Sequence, residues 1–134
     1  MPTFNDLVAA LSSPIASERN KAAVALMDIA DSRAVQPLIH AIENPDNRNA
    51  RGTLVYALSA FDCSGRFAQL FGWALEGGFE TSNESISILH DQEIIPSEED
   101  LLRSRAALEV AAQKACFDSK LKEELLALLG GVDG

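Results

Sequence analysis

The amino-acid sequence predicts an all-α protein in which about four helical hairpins stack into a right-handed α–α superhelix. Hydrophobic residues make up 47% of the 134 residues but aromatic residues only 6%, and Ala and Leu dominate the apolar set. This composition favours helix over strand. The sequence also repeats itself, because Arg19 and Leu26 correspond to Arg51 and Leu58 at an offset of 32 residues. Such a period is typical of stacked helical units, so we expect one domain over residues 1–134.

The first two repeats, at about residues 3–30 and 31–61, are each predicted to contain two helices. Apolar residues recur at three- and four-residue spacings on both sides of a break, which falls at Pro14 in the first repeat and at residues 43–47 in the second. The stripes of the first repeat are Leu7, Val8 and Leu11, then Ala22, Ala25, Leu26 and Ile29. Those of the second are Ala34, Val35, Leu38, Ile39 and Ile42, then Ala50, Leu54, Ala57, Leu58 and Phe61.

The third repeat, at about residues 64–91, is less regular. Its first helix is predicted from Phe67, Leu70, Phe71, Ala74 and Leu75. Gly77 and Gly78 should stop that helix. The second helix is expected after residues 81–84, around residues 85–89, because Leu89 lies 31 positions after Leu58. Trp73 takes the place of the small Ala41 of the preceding repeat, and we expect it to fill space in the core.

The fourth repeat, at about residues 97–130, is predicted to be a terminal helical pair. Ser97 is a good N-cap, and the acids that follow it suit the start of a helix. A long, broadly apolar helix should run from there to about Cys116. The chain should restart at Asp118 or Ser119 and end its last helix at Gly130–Gly131.

Residues 29–39 and 19–26 resemble HEAT-like repeats, in particular those of phycobilisome lyases and many small bacterial proteins. The first segment is similar to the family's I-G-D-x-x-A-V-x-P-L pattern, including Pro37, and the second to R-x-x-A-A-x-A-L. The resemblance is good over about residues 3–61, weaker to about residue 90, and only architectural afterwards. It implies that Asp46 and Arg51 tie neighbouring repeats together. Arg19 occupies the position in the first repeat that Arg51 occupies in the second. The third repeat has Ser82 at that position, so the series of such ties should end before it.

The resemblance also implies where a partner would bind. HEAT-like stacks present their second helices as an extended inner surface. Residues of those helices and their flanks that lie off the predicted core stripes are Arg48, Thr53, Val55, Tyr56, Ser59, Glu84 and Ser87. Tyr56 is the chain's only tyrosine, and tyrosine is enriched at interface hot spots. We therefore select Tyr56 as a candidate binding anchor.

The charge distribution indicates what kind of partner to expect. The formal net charge is -9, and no Lys or Arg occurs between Arg66 and Arg103. Such a surface repels nucleic acid and anionic membranes, so neither is expected as a partner. The acids of this region form either a solvated surface or a docking face for a basic protein. Under the second alternative, the candidate contacts include Glu98, Glu99 and Asp100.

The sequence predicts no catalytic residue, metal site or cofactor. His40 and His90 lie apart without metal-ligand spacing, and no nucleophile, phosphate-loop or dinucleotide motif is present. Cys63 and Cys116 are expected to be two reduced thiols. The amino terminus has no basic region and only a short, interrupted apolar stretch, so we expect a cytoplasmic location.

The function most favoured by these observations is a non-catalytic interaction module. It would bind a basic partner protein through its inner and acidic faces, as a monomer or weak homodimer. Three alternatives stay open: an immunity or antitoxin-like inhibitor of a basic toxin, a lyase-like accessory protein for tetrapyrrole attachment, and a subunit of a larger HEAT-repeat assembly.

Overall fold

A computed structural model describes residues 2–130, and within that range the chain forms eight α-helices and two short 3-10 helices but no strand. The prediction of an all-α fold is confirmed. The helices are α1 (Phe4–Ala10), α2 (Ala16–Ile29), α3 (Val35–Glu43), α4 (Gly52–Leu58), α5 (Phe67–Glu76), α6 (Gly78–Asp91), α7 (Glu98–Ala112) and α8 (Ser119–Leu128). The 3-10 helices, Ser32–Ala34 and Pro45–Asn47, precede α3 and follow it.

The helices pack as four successive pairs. Helix α1 contacts α2, α3 contacts α4, α5 contacts α6, and α7 contacts α8. Between pairs, α2 contacts α4, α4 contacts α6, and α5 contacts α7. The second helices α2, α4 and α6 therefore form one layer with α4 in its middle, while α5 and α7 are neighbours in a second layer. Successive pairs therefore contact each other through α2 and α4, α4 and α6, and α5 and α7. The stacking of the hairpins into a right-handed superhelix stays a prediction.

Side-chain caps define the ends of the last hairpin. Ser97 Oγ accepts the backbone N–H of Asp100 at 3.0 Å, and the Asp100 carboxylate accepts the N–H of Ser97 at 3.0 Å. The Asp118 carboxylate caps α8 by accepting the backbone N–H groups of Lys120 and Leu121. The predicted starts at Ser97 and Asp118 are confirmed. Helix α7 ends at Ala112, short of the predicted end near Cys116, and α8 ends at Leu128 before Gly130. Gly131, the other residue of the predicted stop, lies outside the described residues.

A single residue, Gly77, links α5 to α6. The predicted stop at Gly77–Gly78 is confirmed, because α5 ends at Glu76. The predicted start of the second helix is wrong: α6 begins at Gly78, so residues 81–84 are already helical. A Cβ on Gly77 would collide with the carbonyl oxygen of Trp73, and Gly78 has a φ of +80°. Two glycines therefore allow the sharp reversal that places α6 directly against α5.

The hydrophobic core follows the repeat. Leu26, Leu58 and Leu89 hold equivalent positions of α2, α4 and α6, and all three are buried. Trp73 is buried as well, which confirms that it fills core space. The rings of Phe67 and Phe71 stack beside it in α5, with 5.8 Å between their centroids. Burial of these side chains is the main force holding the pairs together.

Two predictions about the second hairpin are wrong. Helix α4 covers only residues 52–58, so Ala50 and Phe61 of its predicted stripe flank the helix. Val55, which we expected off the core, is fully buried. The reason is that α2 and α6 cover both sides of α4, so positions beside the core stripe are also enclosed.

Among residues 2–130, the side chains of Asp46 and Arg51 form no ion pair that would tie neighbouring repeats together. Arg51 and Arg19 are both buried, and the Nε atom of each has no hydrogen-bond partner in that range, but Arg19 Nη1 donates to the carbonyl oxygen of Ser13, between α1 and α2, at 2.8 Å. Asp46 is exposed on the turn, and bringing its carboxylate to a buried guanidinium would cost desolvation. The turn is held by Asn47 instead, whose Nδ2 donates to the carbonyl oxygen of Ala41 at 2.8 Å.

Helix α7 buries less of its apolar surface than its composition suggests. Ser104 and Leu108 are its buried residues, whereas Leu102 and Val110 are exposed. The helix packs on α5 and lightly on α8, so its opposite face meets solvent.

Candidate functional site

Helix α4 exposes one side chain. Five of its seven residues are buried, Thr53 is half-buried, and Tyr56 is 48% exposed. Because α4 is enclosed by α2, α3 and α6, only a narrow strip of it faces solvent. The chain's only tyrosine occupies that strip, at the centre of the α2–α4–α6 layer.

Two glutamates lie on α6, the helix that packs against α4. The side chain of Glu80 rests on Gly52, in the space that a Cβ would otherwise fill. Gly52 and Tyr56 are four residues apart in α4 and share a face, and so do Glu80 and Glu84 in α6. Tyr56 thus lies on the face of α4 that Glu80 approaches at Gly52, and Glu84 lies on the same face of α6 as Glu80. We call Tyr56, Glu80 and Glu84 the Tyr56 patch.

The Tyr56 patch carries uncompensated negative charge. Burial raises the pKa of Glu84, and the negative charge of Glu80 raises it further. In the described part of the chain, neither carboxylate takes part in an ion pair. The patch thus combines an exposed aromatic ring on α4 with two mutually repelling carboxylates on the adjoining α6, a combination that favours an incoming cation.

The other predicted residues of this surface lie on α4, on α6 or on their flanks. Ser59 is exposed at the end of α4, where its Oγ donates to the carbonyl oxygen of Tyr56 at 2.6 Å. Arg48 is exposed in the turn before α4, and Ser87 is exposed on α6. Val24, at the position of α2 equivalent to Tyr56, is 43% exposed. Tyr56 and Ser59, on α4 and directly after it, and Glu84, on α6, therefore belong to adjoining parts of one layer. That this layer is an inner binding surface stays a prediction.

Glu80 and Val24 were missed by sequence reasoning. The signal for Glu80 was its spacing of four from Glu84, which places both on one helical face. Its contact with Gly52 comes from helix packing and has no sequence signature. Val24 could have been found by applying the 32-residue offset to Tyr56.

The acids at the start of α7 lie apart from the Tyr56 patch. Glu98, Glu99 and Asp100 begin a helix that packs on α5, in the other layer. Glu99 forms an ion pair with Arg103 at 2.6 Å, and Asp100 belongs to the capping box of Ser97. The structure thus divides the predicted site residues between two surfaces.

The remaining chemistry-bearing side chains are dispersed. His40 and His90 are both exposed. Cys63 and Cys116 are free thiols, and burial raises the pKa of Cys63. From residue 2 to residue 130, no three His, Cys, Asp or Glu residues are grouped so that they could hold a metal ion. None of the helices described is long and apolar enough to span a membrane.

Comparisons with protein-family models, curated proteins and solved structures give no match for this chain. The resemblance to HEAT-like repeats therefore stays a prediction from the sequence pattern.

Proposed function

We propose that this chain is a non-catalytic protein-interaction module that binds a basic partner protein through the Tyr56 patch. The observation that supports the proposal is the exposure of Tyr56, the one residue that α4 presents to solvent, while the adjoining α6 carries two carboxylates outside any ion pair of the described residues. A Lys or Arg side chain of the partner would fit this combination.

The tyrosine would supply affinity. An aromatic side chain buries a large area on binding at a low cost in side-chain entropy, which is why tyrosine is common at hot spots. A cation over the face of its ring gains about 0.5–2 kcal/mol, depending on how far the site is desolvated. Val24 and Thr53, on the adjoining strip of the layer, would extend the contact with apolar and neutral surface.

The carboxylates would supply selectivity. Glu80 and Glu84 repel one another, and a bound cation would relieve that repulsion. The net charge of -9 would also speed encounters with a positively charged protein and disfavour acidic ones. The acids at the start of α7, Glu98, Glu99 and Asp100, would act only through the overall electrostatic field of the protein. A direct contact with the partner is not assigned to them, because Glu99 and Asp100 already have local partners.

The proposal can be tested by quantitative capture from lysate on immobilised protein. The baits are the wild type, Tyr56→Ala and the double variant Glu80→Gln/Glu84→Gln. Phe79→Ala is the matched control, because Phe79 is an exposed aromatic residue on α6 outside the patch. We expect a basic protein that is retained by the wild type and the control, and lost by both patch variants. Capture that does not depend on Tyr56, or a predominantly acidic captured set, would contradict the proposal.

The identity of the captured protein would then narrow the function. A nuclease or another basic toxin that is inhibited on binding would specify an immunity or antitoxin-like role. Capture of a protein whose activity is not inhibited on binding would favour an adaptor role for this chain.

A further inference from the structure

Helix α7 carries an apolar stripe on the side that faces away from the core. Leu102 is 71% exposed and Val110 is 66% exposed, and Ala106, halfway between them, is also exposed. Because these residues are four positions apart, they follow one another along a single face of the helix. Single apolar residues on a surface are ordinary, whereas a contiguous apolar patch marks an interaction site. We call Leu102, Ala106 and Val110 the α7 stripe.

The neighbouring helices leave the α7 stripe open. On α7, Ser104 and Ala107 line the groove towards α5, and Leu108 and Ala112 line the groove towards α8. Within the described structure, the stripe lines neither groove and lies on the opposite side of α7 from Ser104 and Leu108, the two buried residues of the helix. Another helix could therefore lie along the stripe without displacing α5 or α8.

The charges around the stripe suit a second copy of the same chain. Acidic and basic residues nearly balance over residues 98–114, which contain Glu98, Glu99, Asp100 and Glu109 together with Arg103, Arg105 and Lys114. Residues 67–97, by contrast, contain acids but no Lys or Arg, and the whole chain has a net charge of -9. Two copies of an acidic protein repel each other, and the repulsion is weakest where charges of both signs are present. Helix α7 is therefore the surface best suited to self-association.

The order of these charges along α7 complements itself in an antiparallel pair. Three acids, residues 98–100, begin the helix, whereas Lys114 follows its end and has no ion-pair partner within residues 2–130. Glu99 lies seven residues before Ala106 and Lys114 eight residues after it, so a two-fold axis at Ala106 brings Glu99 of each copy level with Lys114 of the other. Their separation is close to four helical turns, which puts both on the same side of the stripe. A parallel pair would instead set acids against acids.

The apolar residues complement themselves about the same axis. Leu102 and Val110 are each four residues from Ala106, so the axis places Leu102 of one copy against Val110 of the other. Ala106 meets its own equivalent, and its small side chain lets the two helices approach closely. A surface that matches itself about a two-fold axis is what a symmetric dimer, the commonest kind of oligomer, requires.

We propose that the α7 stripe is the interface of a weak antiparallel homodimer whose two-fold axis passes near Ala106. The occupant of the stripe is the same stripe of a second copy, and Glu99 of each copy pairs with Lys114 of the other. Helix α7 has 15 residues and is about 22 Å long. One helix pair of this length buries less than the roughly 1,000 Å² that a stable interface needs. The dissociation constant is therefore on the order of 0.1–1 mM.

Sedimentation equilibrium of the full chain tests the proposal. The protein is examined over about 0.02–2 mM, which spans a dissociation constant of this size. We expect the average mass to rise with concentration from the 14.4 kDa of one chain towards twice that value. The rise should fit a monomer–dimer equilibrium without larger species, because a two-fold interface is closed.

A charge at the axis should prevent dimerisation. Ala106→Glu sets a carboxylate of each copy against that of the other, and such like-charge contacts are strongly unfavourable, so the dissociation constant should rise roughly tenfold or more. Ala9→Glu is the matched control, because Ala9 is an exposed alanine of α1, in the first helical pair, whereas α7 belongs to the fourth. Circular dichroism should show that both variants keep the helical content of the wild type.

Charge reversal tests the antiparallel arrangement. Glu99→Lys and Lys114→Glu should each weaken the dimer roughly twofold to tenfold, because each puts like charges together at two symmetric places. The double variant Glu99→Lys/Lys114→Glu should regain the affinity of the wild type, since it restores the pair with the signs exchanged and leaves the net charge at -9. Double-variant affinity no higher than that of the single variants would overturn the antiparallel arrangement.

Two further results would overturn the proposal. One is an average mass of 14.4 kDa at every concentration, which would leave the stripe to a different occupant or to solvent. The other is self-association that Ala106→Glu weakens no more than Ala9→Glu does, which would place the interface elsewhere. Neither result bears on the Tyr56 patch, because no residue of the patch lies on α7.

Discussion

The backbone N–H of Cys63 donates a 2.8 Å hydrogen bond to the side-chain Oε1 of Gln92. The Nε2 of the same glutamine donates to the carbonyl oxygen of Phe61 at 2.9 Å. Gln92 follows α6 directly, and residues 61–63 follow α4, so one side-chain amide ties the carboxyl ends of the two helices together. Tyr56 lies on α4 and the two glutamates of the patch lie on α6, so Gln92 helps to fix the position of one helix relative to the other.

Replacing Gln92 should therefore destabilise the fold. Gln92→Ala leaves the Cys63 N–H and the Phe61 carbonyl without their side-chain partner, and a partly buried group left unpaired costs about 1–3 kcal/mol. Urea denaturation followed by circular dichroism measures this loss. Gln113→Ala, at the exposed residue that directly follows α7, is the control and should change stability little. Equal stability of the two variants would show that the Gln92 bonds contribute nothing.

Two glycines of the third hairpin should respond in opposite directions to substitution by alanine. Gly77→Ala places a methyl group against the Trp73 carbonyl oxygen and should lower the free energy of unfolding by roughly 1–3 kcal/mol. Gly72→Ala meets no described atom within 4 Å, lies inside α5, and should raise it by about 0.5–1 kcal/mol. Thermal unfolding of the two variants checks both signs. A stabilising Gly77→Ala would mean that α5 and α6 do not meet at this sharp turn.

Glu84 should make stability depend on pH. Its pKa is raised in the folded state, chiefly by burial and then by Glu80, so the folded protein binds the proton more tightly than the unfolded chain does. Stability then falls as pH rises from the ordinary glutamate pKa through the raised value, and the ionised form is the destabilising one. Glu84→Gln should be more stable than the wild type near neutral pH, with the difference vanishing at about pH 4, where glutamates become protonated. Lower stability of Glu84→Gln at neutral pH would contradict this.

Adjacent residues of α4 should differ sharply in their contribution to stability. Val55→Thr buries a hydroxyl at a fully enclosed position and should cost about 1–3 kcal/mol. Tyr56→Ala removes an exposed side chain and should change the free energy of unfolding by less than about 0.5 kcal/mol. Chemical denaturation of both variants measures the contrast. If Tyr56→Ala were the more destabilising change, Tyr56 would be a core residue and not a binding anchor.

The sequence predicted those features that depend on local pattern. The buried leucines of the layer follow from the repeat, the cap at Ser97 from hydrogen-bonding chemistry, and the stop at Gly77–Gly78 from the special backbone of glycine. These features need no knowledge of neighbouring helices, which is why one sequence was enough to place them.

Features that depend on packing between helices were not predictable in this way. Val55 looked exposed because helical spacing identifies one buried face, whereas α4 is covered on both sides. Glu80 reaches Gly52 only because α6 lies against α4. The role expected of Asp46 and Arg51 in tying neighbouring repeats together came from resemblance, whereas in the structure the turn is held by the Asn47 bond to the Ala41 carbonyl.

Site-specific photo-crosslinking tests the proposed role of the Tyr56 patch most directly. A photoreactive phenylalanine analogue is placed at position 56 in one variant and at position 79 in another, and both are irradiated in cells. We predict a crosslink from position 56 to a lysine- or arginine-rich segment of one protein, lost when Glu80 and Glu84 are changed to glutamine. Crosslinks from position 79 alone, or from position 56 regardless of the two glutamates, would contradict the account.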